Sequence, residues 1–260
     1  METRAQPFAA RRAHPFVPPA SERVAVPHPT WSGRLRIAHL TDLHVGMVTP
    51  DALVREAVDL ATAAAPDLVA LTGDFVAHTT GALHRLVRLL APLPGPKVAV
   101  LGNHDHRAGA ADVAKALEDA GVFVLDNTWT WLAGPGLAVV GVDDHTYRKT
   151  DAERATVGLD GRPAIGLSHH PAGAPALWDR GVPVVLSGHT HGGQVHHPKW
   201  STRLFARFEG TPHVTGLCGE PGRHVYVCPG IGAAVLPWRA GRGAARTVAV
   251  LEIEGMAPSV

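Results

Sequence analysis

The chain has 260 residues, enough for one large domain with a real core. Its formal net charge of +1 gives no push toward nucleic acid or an acidic partner, and no apolar run reaches the length of a membrane span. Two cysteines, Cys218 and Cys228, are too few for a disulfide framework.

The first 34 residues read as a Pro-rich arm. Arg11 and Arg12 raise a twin-arginine export signal, but AHPFVPPA follows them instead of an apolar h-region. The expectation is therefore a cytoplasmic protein. Regular patterning starts at Arg36, where RIAHL has the texture of a buried strand. Thr49 and Pro50 then open a helix, with Thr49 as the expected N-cap. Strands follow at 67–71 and 97–101, and helices at 81–90 and 110–120. That alternation predicts a parallel sheet with helices on its faces. From 122 to 142 three short runs separated by Asn, Gly and Pro suggest a meander or mixed sheet. Further strands are expected at 164–167, 183–186, 224–228 and 248–253. The whole reads as one α/β domain over 35–254 with two sheets between helices, followed by a short tail at 255–260.

Five of these strands end in metal-capable side chains. TDLHVG supplies Asp42 and His44, TGD supplies Asp74, and GNHD supplies Asn103, His104 and Asp105. SHHP supplies His169 and His170, and SGHTHGGQ supplies His189 and His191. One such turn is commonplace; five at the carboxyl ends of strands, where α/β sheets gather ligands, are not. Oxygen and imidazole donors without thiolate suit Mn, Fe, Zn, Ni or Co rather than a closed structural zinc site. These candidates are too many for one ion and suit two divalent metal ions that share a carboxylate, an arrangement suited to a phosphate ester.

The ordered blocks DLH, LTGD, GNHD, SHHP and GHTH resemble the calcineurin-like metallophosphoesterase superfamily over 35–254. LTGDFV, GHTHGGQ and the tail VYVCPGIGAAVLPWR are most similar to its bacterial YaeI/YkuE-type branch. The resemblance implies an αββα sandwich of two mixed sheets flanked by helices. It implies that Asp42, His44 and His191 hold one ion and that Asn103, His169 and His189 hold the other, with Asp74 bridging. It also implies in-line attack by a metal-bridging hydroxide, with His104 protonating the leaving oxygen and Asp105 orienting His104. Within SHHP it selects His169 over His170. The branch includes some UDP-diacylglucosamine hydrolases, so a pyrophosphohydrolase of a UDP-linked lipid precursor is a second reading. His104 stands where other lipid A hydrolases have Arg, which weighs against that substrate. A non-catalytic metal-binding scaffold is a third reading; a complete ligand set accompanied by His104 and Asp105 weighs against it.

Residues 199–208, KWSTRLFARF, mix apolar and basic side chains just past the last metal block. They read either as a helix packed on the domain or as a peripheral contact with the inner membrane or a lipid-linked substrate. Arg148, Lys149 and Arg154 read as a solvated loop or a second phosphate contact. In SGHTHGGQ, an extended backbone would aim His189 and His191 alike, with Gly188, Gly192 and Gly193 letting the backbone turn tightly and leaving room for substrate.

Overall fold

A computed structural model describes residues 17–194, 201–233, 236 and 238–256. Arg11, Arg12, Lys199 and Trp200, singled out above, lie outside the described residues. The first sheet comprises β1 (Ala20–His28), β2 (Arg34–Leu40), β3 (Leu68–Thr72), β4 (Lys97–Val100), β5 (Phe123–Val124) and β12 (Thr247–Gly255). Its order is β1-β12-β2-β3-β4-β5, with β2 to β5 parallel and β12 antiparallel to β2. The second sheet comprises β6 (Thr128–Leu132), β7 (Leu137–Gly141), β8 (Ala164–Leu167), β9 (Val184–Ser187), β10 (Gly216–Glu220) and β11 (Arg223–Val227). Its order is β10-β11-β9-β8-β7-β6, parallel from β7 to β11 with antiparallel edges.

The layering follows from strand periodicity. In β3, Leu68 and Ala70 point into the space between the sheets, while Val69 and Leu71 face the helical side. The second sheet repeats this in β9, where Val184 and Leu186 face the first sheet and Val185 faces outward. Strands apolar on both faces need cover on both. Helices α1 (Asp51–Ala63), α2 (Leu83–Leu90) and α3 (Asn103–Asp119) cover the first sheet; α4 (Ala152–Ala155) and α5 (Ala174–Trp178) lie on the second. Helix α6 (Ser201–Phe208) follows the last metal block. The architecture is the expected αββα sandwich.

Several local expectations are corrected. Residues 20–28, read as part of the arm, form an edge strand paired in parallel with β12. The stretch 122–142 is not one meander: β5 extends the first sheet, and β6 and β7 form a hairpin in the second. Thr49 does not cap α1; its hydroxyl accepts from the amide of Ala233 at 3.1 Å, tying two loops together. Helix α3 starts at Asn103 and is broken at Gly109, so the expected 110–120 helix is its second part. The cysteines need no correction: Cys218 and Cys228 are both free thiols, as expected of two cysteines too few for a framework.

Candidate metal centre

The carboxyl ends of β2, β3 and β4 in one sheet and of β8 and β9 in the other meet at a common edge. Backbone bonds lock the turns together. The amides of Asp42 and His44 donate to the carbonyls of Gly73 and Asp74, and the amide of Gly188 donates to the carbonyl of His169. Close approach requires glycine at Gly188, where a Cβ would fall 2.0 Å from Thr41 Oγ1 and 2.4 Å from Asp42 Oδ2. Gly192, at φ +61, meets the Gly243 carbonyl in the same way. Gly188 and Gly192 thus pack tightly under the site, and Gly192 and Gly193, at φ 61° and 78°, turn the backbone there as expected. The His189–His191 turn itself is not extended: both histidines have left-handed φ, 70° and 50°. Asp42, His44 and Asp74 share that conformation, at 53°, 45° and 54°. It costs a non-glycine residue roughly 1–2 kcal/mol, and such strain concentrates at functional sites.

All seven expected ligand residues come together, in two groups. In the first, His44 Nε2 and His191 Nε2 are 3.1 Å apart, and Asp42 Oδ1 lies 3.8 and 3.5 Å from them. In the second, Asn103 Oδ1 lies 3.2 Å from His169 Nε2 and 3.1 Å from His189 Nδ1, and those two nitrogens are 3.3 Å apart. Asp74 Oδ2 stands between the groups, 3.6 Å from His44 Nε2 and 3.4 Å from His169 Nε2. Its Oδ1 accepts the amide of His104 at 2.8 Å.

The chemistry of this donor set suits divalent cations. Donors that share an ion at bond lengths near 2.1 Å stand roughly 3.0–3.4 Å apart; the second group and the His44–His191 pair meet that spacing, while Asp42 Oδ1 stands slightly wider at 3.5 and 3.8 Å. Asp42 Oδ1 is buried without a hydrogen-bond partner, which is costly unless a cation meets it. Burial pushes the pKa of His44 down to about 3, leaving a neutral imidazole suited to ligation. Burial likewise lowers His191, assisted by Arg239. Burial would raise Asp74, but the imidazoles of His169, His44 and His104 outweigh it and hold its carboxyl well below the usual range. Burial also opposes a charge on His169, yet Asp74 and Asp42 push its pKa up to about 10. The field of the cluster thus favours positive charge between its carboxylates.

The His104–Asp105 relationship differs from the expectation. His104 Nδ1 donates to the carbonyl of Ala77, which fixes its ring. Asp105 is fully buried and spends its oxygens on backbone: Oδ1 accepts from the amides of Phe75 and Val76, and Oδ2 from that of Gly102. It braces the turns that carry Asp74 and Asn103 instead of orienting His104, because its side chain folds back to cap α3.

Of the SHHP pair, His169 enters the centre, and its Nδ1 donates to the carbonyl of Thr72 at 2.6 Å. His170 lies beside it, with its ring 4.2 Å from that of His189. Sequence reasoning left Arg239 without a role. Its part-buried guanidinium lies 2.8 Å from His191 Nδ1 and donates to the carbonyls of Pro229, Gly230 and Gly232. Lys149 reaches His106 at 3.4 Å, and His106 donates to Asp143 at 2.6 Å. A cleft of about 230 Å³ opens onto the centre, lined by Asp74, Asn103, His104, His191, Gln194 and Arg239 among others.

A sequence profile of the calcineurin-like phosphoesterases matches residues 35–193. The chain belongs to the calcineurin-like phosphoesterase family. Phosphodiesterase YaeI of Escherichia coli (strain K12) is 31% identical over 76% of this chain and 75% of its own. Metallophosphoesterase YkuE of Bacillus subtilis (strain 168) is 33% identical over 67% of this chain and 64% of its own. Among solved structures, TT1561 of Thermus thermophilus has the same fold, with a TM-score of 0.52 and 17% identity over 76% of this chain and 89% of that one. The family model and these relatives together place the chain in the YaeI/YkuE branch of the metallophosphoesterases.

Proposed function

We propose that the chain hydrolyses a phosphodiester or phosphomonoester at a centre of two divalent cations. The observation that carries this reading is Asp74 Oδ2, at 3.6 and 3.4 Å from His44 and His169, between two complete donor groups. Asp42, His44 and His191 would hold one ion and Asn103, His169 and His189 the other, with Asp74 shared. When bound, the ions would supply Lewis-acid activation of the phosphoryl group and of water. His104, at the edge of the cleft, is held by Ala77 through its Nδ1–H, so that in the protonated ring the second N–H, at Nε2, would give its proton to the leaving oxygen. Asp105 holds the loops in place through their amides. A diester is the preferred substrate, supported by the phosphodiesterase named among its relatives.

The experiment is turnover of bis-(p-nitrophenyl) phosphate against p-nitrophenyl phosphate by protein reconstituted with Mn, Fe, Zn, Ni or Co. Metal-dependent turnover with faster release from the diester is the expected result. Metal-loaded protein that turns over neither ester would favour the scaffold reading.

A lipid-linked substrate, such as a UDP-linked lipid precursor, is the second reading. It is supported by a mostly apolar pocket of about 500 Å³ beside His44 and His104, walled by Val45, Met47, Val48, Ala77 and Ala82. Peripheral contact with a membrane has separate support. Leu204 and Phe208 sit one helical turn apart on α6, 51% and 71% exposed, next to the exposed Arg203 and Arg207. No described helix is long and apolar enough to cross a membrane.

A further inference from the structure

His189 offers Nδ1 to the second donor group, so its other nitrogen points away from it. That Nε2 lies 3.5 Å from Glu209 Oε2. His170 Nε2 lies 3.6 Å from the same oxygen. We propose that Glu209 is a positioning residue for the second ion site, receiving the remote N–H of His189 together with the N–H of His170. This rests on the two-ion reading above and extends it to residues outside the ligand set.

Imidazole chemistry carries the assignment. A neutral imidazole has one N–H and one lone pair, and its far-side partner decides which nitrogen keeps the proton. A carboxylate at Nε2 takes the N–H there and leaves the Nδ1 lone pair facing Asn103 and His169. His170 obeys the same logic independently. Its Nδ1 accepts the amide of Ala172 at 3.0 Å, so its single proton must sit on Nε2. His170 is buried, and the Glu209 carboxylate is what that N–H faces. The two rings lie 4.2 Å apart and tilted by 33°, and both Nε2 atoms lie nearest the same carboxylate oxygen, at 3.5 and 3.6 Å. Such outer carboxylates orient ligating histidines and raise their basicity. Glu209 directly follows α6, so the contact also ties that helix to the centre.

The rival use of these groups is a third cation held by His170, His189 and Glu209, whose donor atoms lie within 4.8 Å of one another. It would require His189 to give both nitrogens to cations at once, with loss of its last ring proton. Positioning needs no such loss.

The test titrates metal-depleted wild type, Glu209→Ala and Glu209→Gln with Mn(II) by calorimetry, with bound metal counted independently. Wild type is expected to take up two ions. In Glu209→Ala one affinity should weaken about 10- to 100-fold while the other holds. Glu209→Gln, whose side-chain oxygen still accepts N–H groups but carries no negative charge, should fall between the two. It also serves as the variant of record if Glu209→Ala does not fold. Unchanged affinities in both variants would overturn the proposal, as would a third ion in wild type that Glu209→Ala loses. Wild type that binds fewer than two ions would instead bring down the two-ion reading, and this inference with it.

Discussion

His104 and Asp105 are adjacent in the chain but act in different directions. The His104 ring belongs to the cleft, so His104→Ala should keep its bound metal and lose about 100- to 10,000-fold in kcat. Metal analysis and kinetics on one preparation check this; a full rate with full metal would remove His104 from the chemistry. The Asp105 side chain belongs to the framework. Asp105→Ala strands three buried amides, at about 1–3 kcal/mol for an unmet buried group. Its first effect should be a lower urea midpoint, with metal affinity falling in step; undiminished stability with a depressed kcat would return Asp105 to a direct role on His104. Both residues were visible in the sequence because they follow a strand in a dense motif. Their division of labour was not, because adjacent helical residues point about 100° apart and only the fold shows what each meets. Arg239 and Glu209 were less visible still. Each reaches a histidine of the expected ligand set from a segment with no metal-like motif, and a partner supplied by tertiary contact leaves no local pattern.

At the scale of elements, periodicity served best where strands are buried on both faces. The parallel run from β2 to β4 could be read from RIAHL, DLVAL and KVAVL. Edges were harder. Strand β1 contains Pro27 and is half exposed, so it lacks the apolar run that marks a central strand. Strand β5 has two residues and carries almost no signal of its own. The GHTH turn defeated the extended reading because His189 and His191 have left-handed backbone in a loop whose Gly188 packs on Thr41 and Asp42, contacts that leave no local pattern. Gly188→Ala should therefore displace Asp42 and weaken the first ion site, read as a lower affinity in a Mn(II) titration; wild-type affinity would show that the loop can yield. Helix α6 carries a separate expectation. Leu204→Ser with Phe208→Ser should abolish co-sedimentation with anionic liposomes and leave turnover of a soluble diester unchanged. Liposome binding that survives both changes would move the lipid contact elsewhere.

At the scale of the molecule, the site exists only where two sheets meet. Asp42, Asp74 and Asn103 come from the first sheet, and His169, His189 and His191 from the second. Cations bridging that seam should stabilise the whole chain, because a ligand that binds only the folded state adds about 2.7 kcal/mol at a hundredfold excess over its Kd. Chelation should accordingly lower the melting temperature, and metal should restore it. The most direct test of the central claim joins stoichiometry to turnover: metal content per chain and the rate on bis-(p-nitrophenyl) phosphate, followed as metal-depleted protein is titrated. Two ions per chain are expected, with activity rising only as the second binds. Full activity with one ion or none, or two ions bound with no turnover of any phosphate ester, would contradict it.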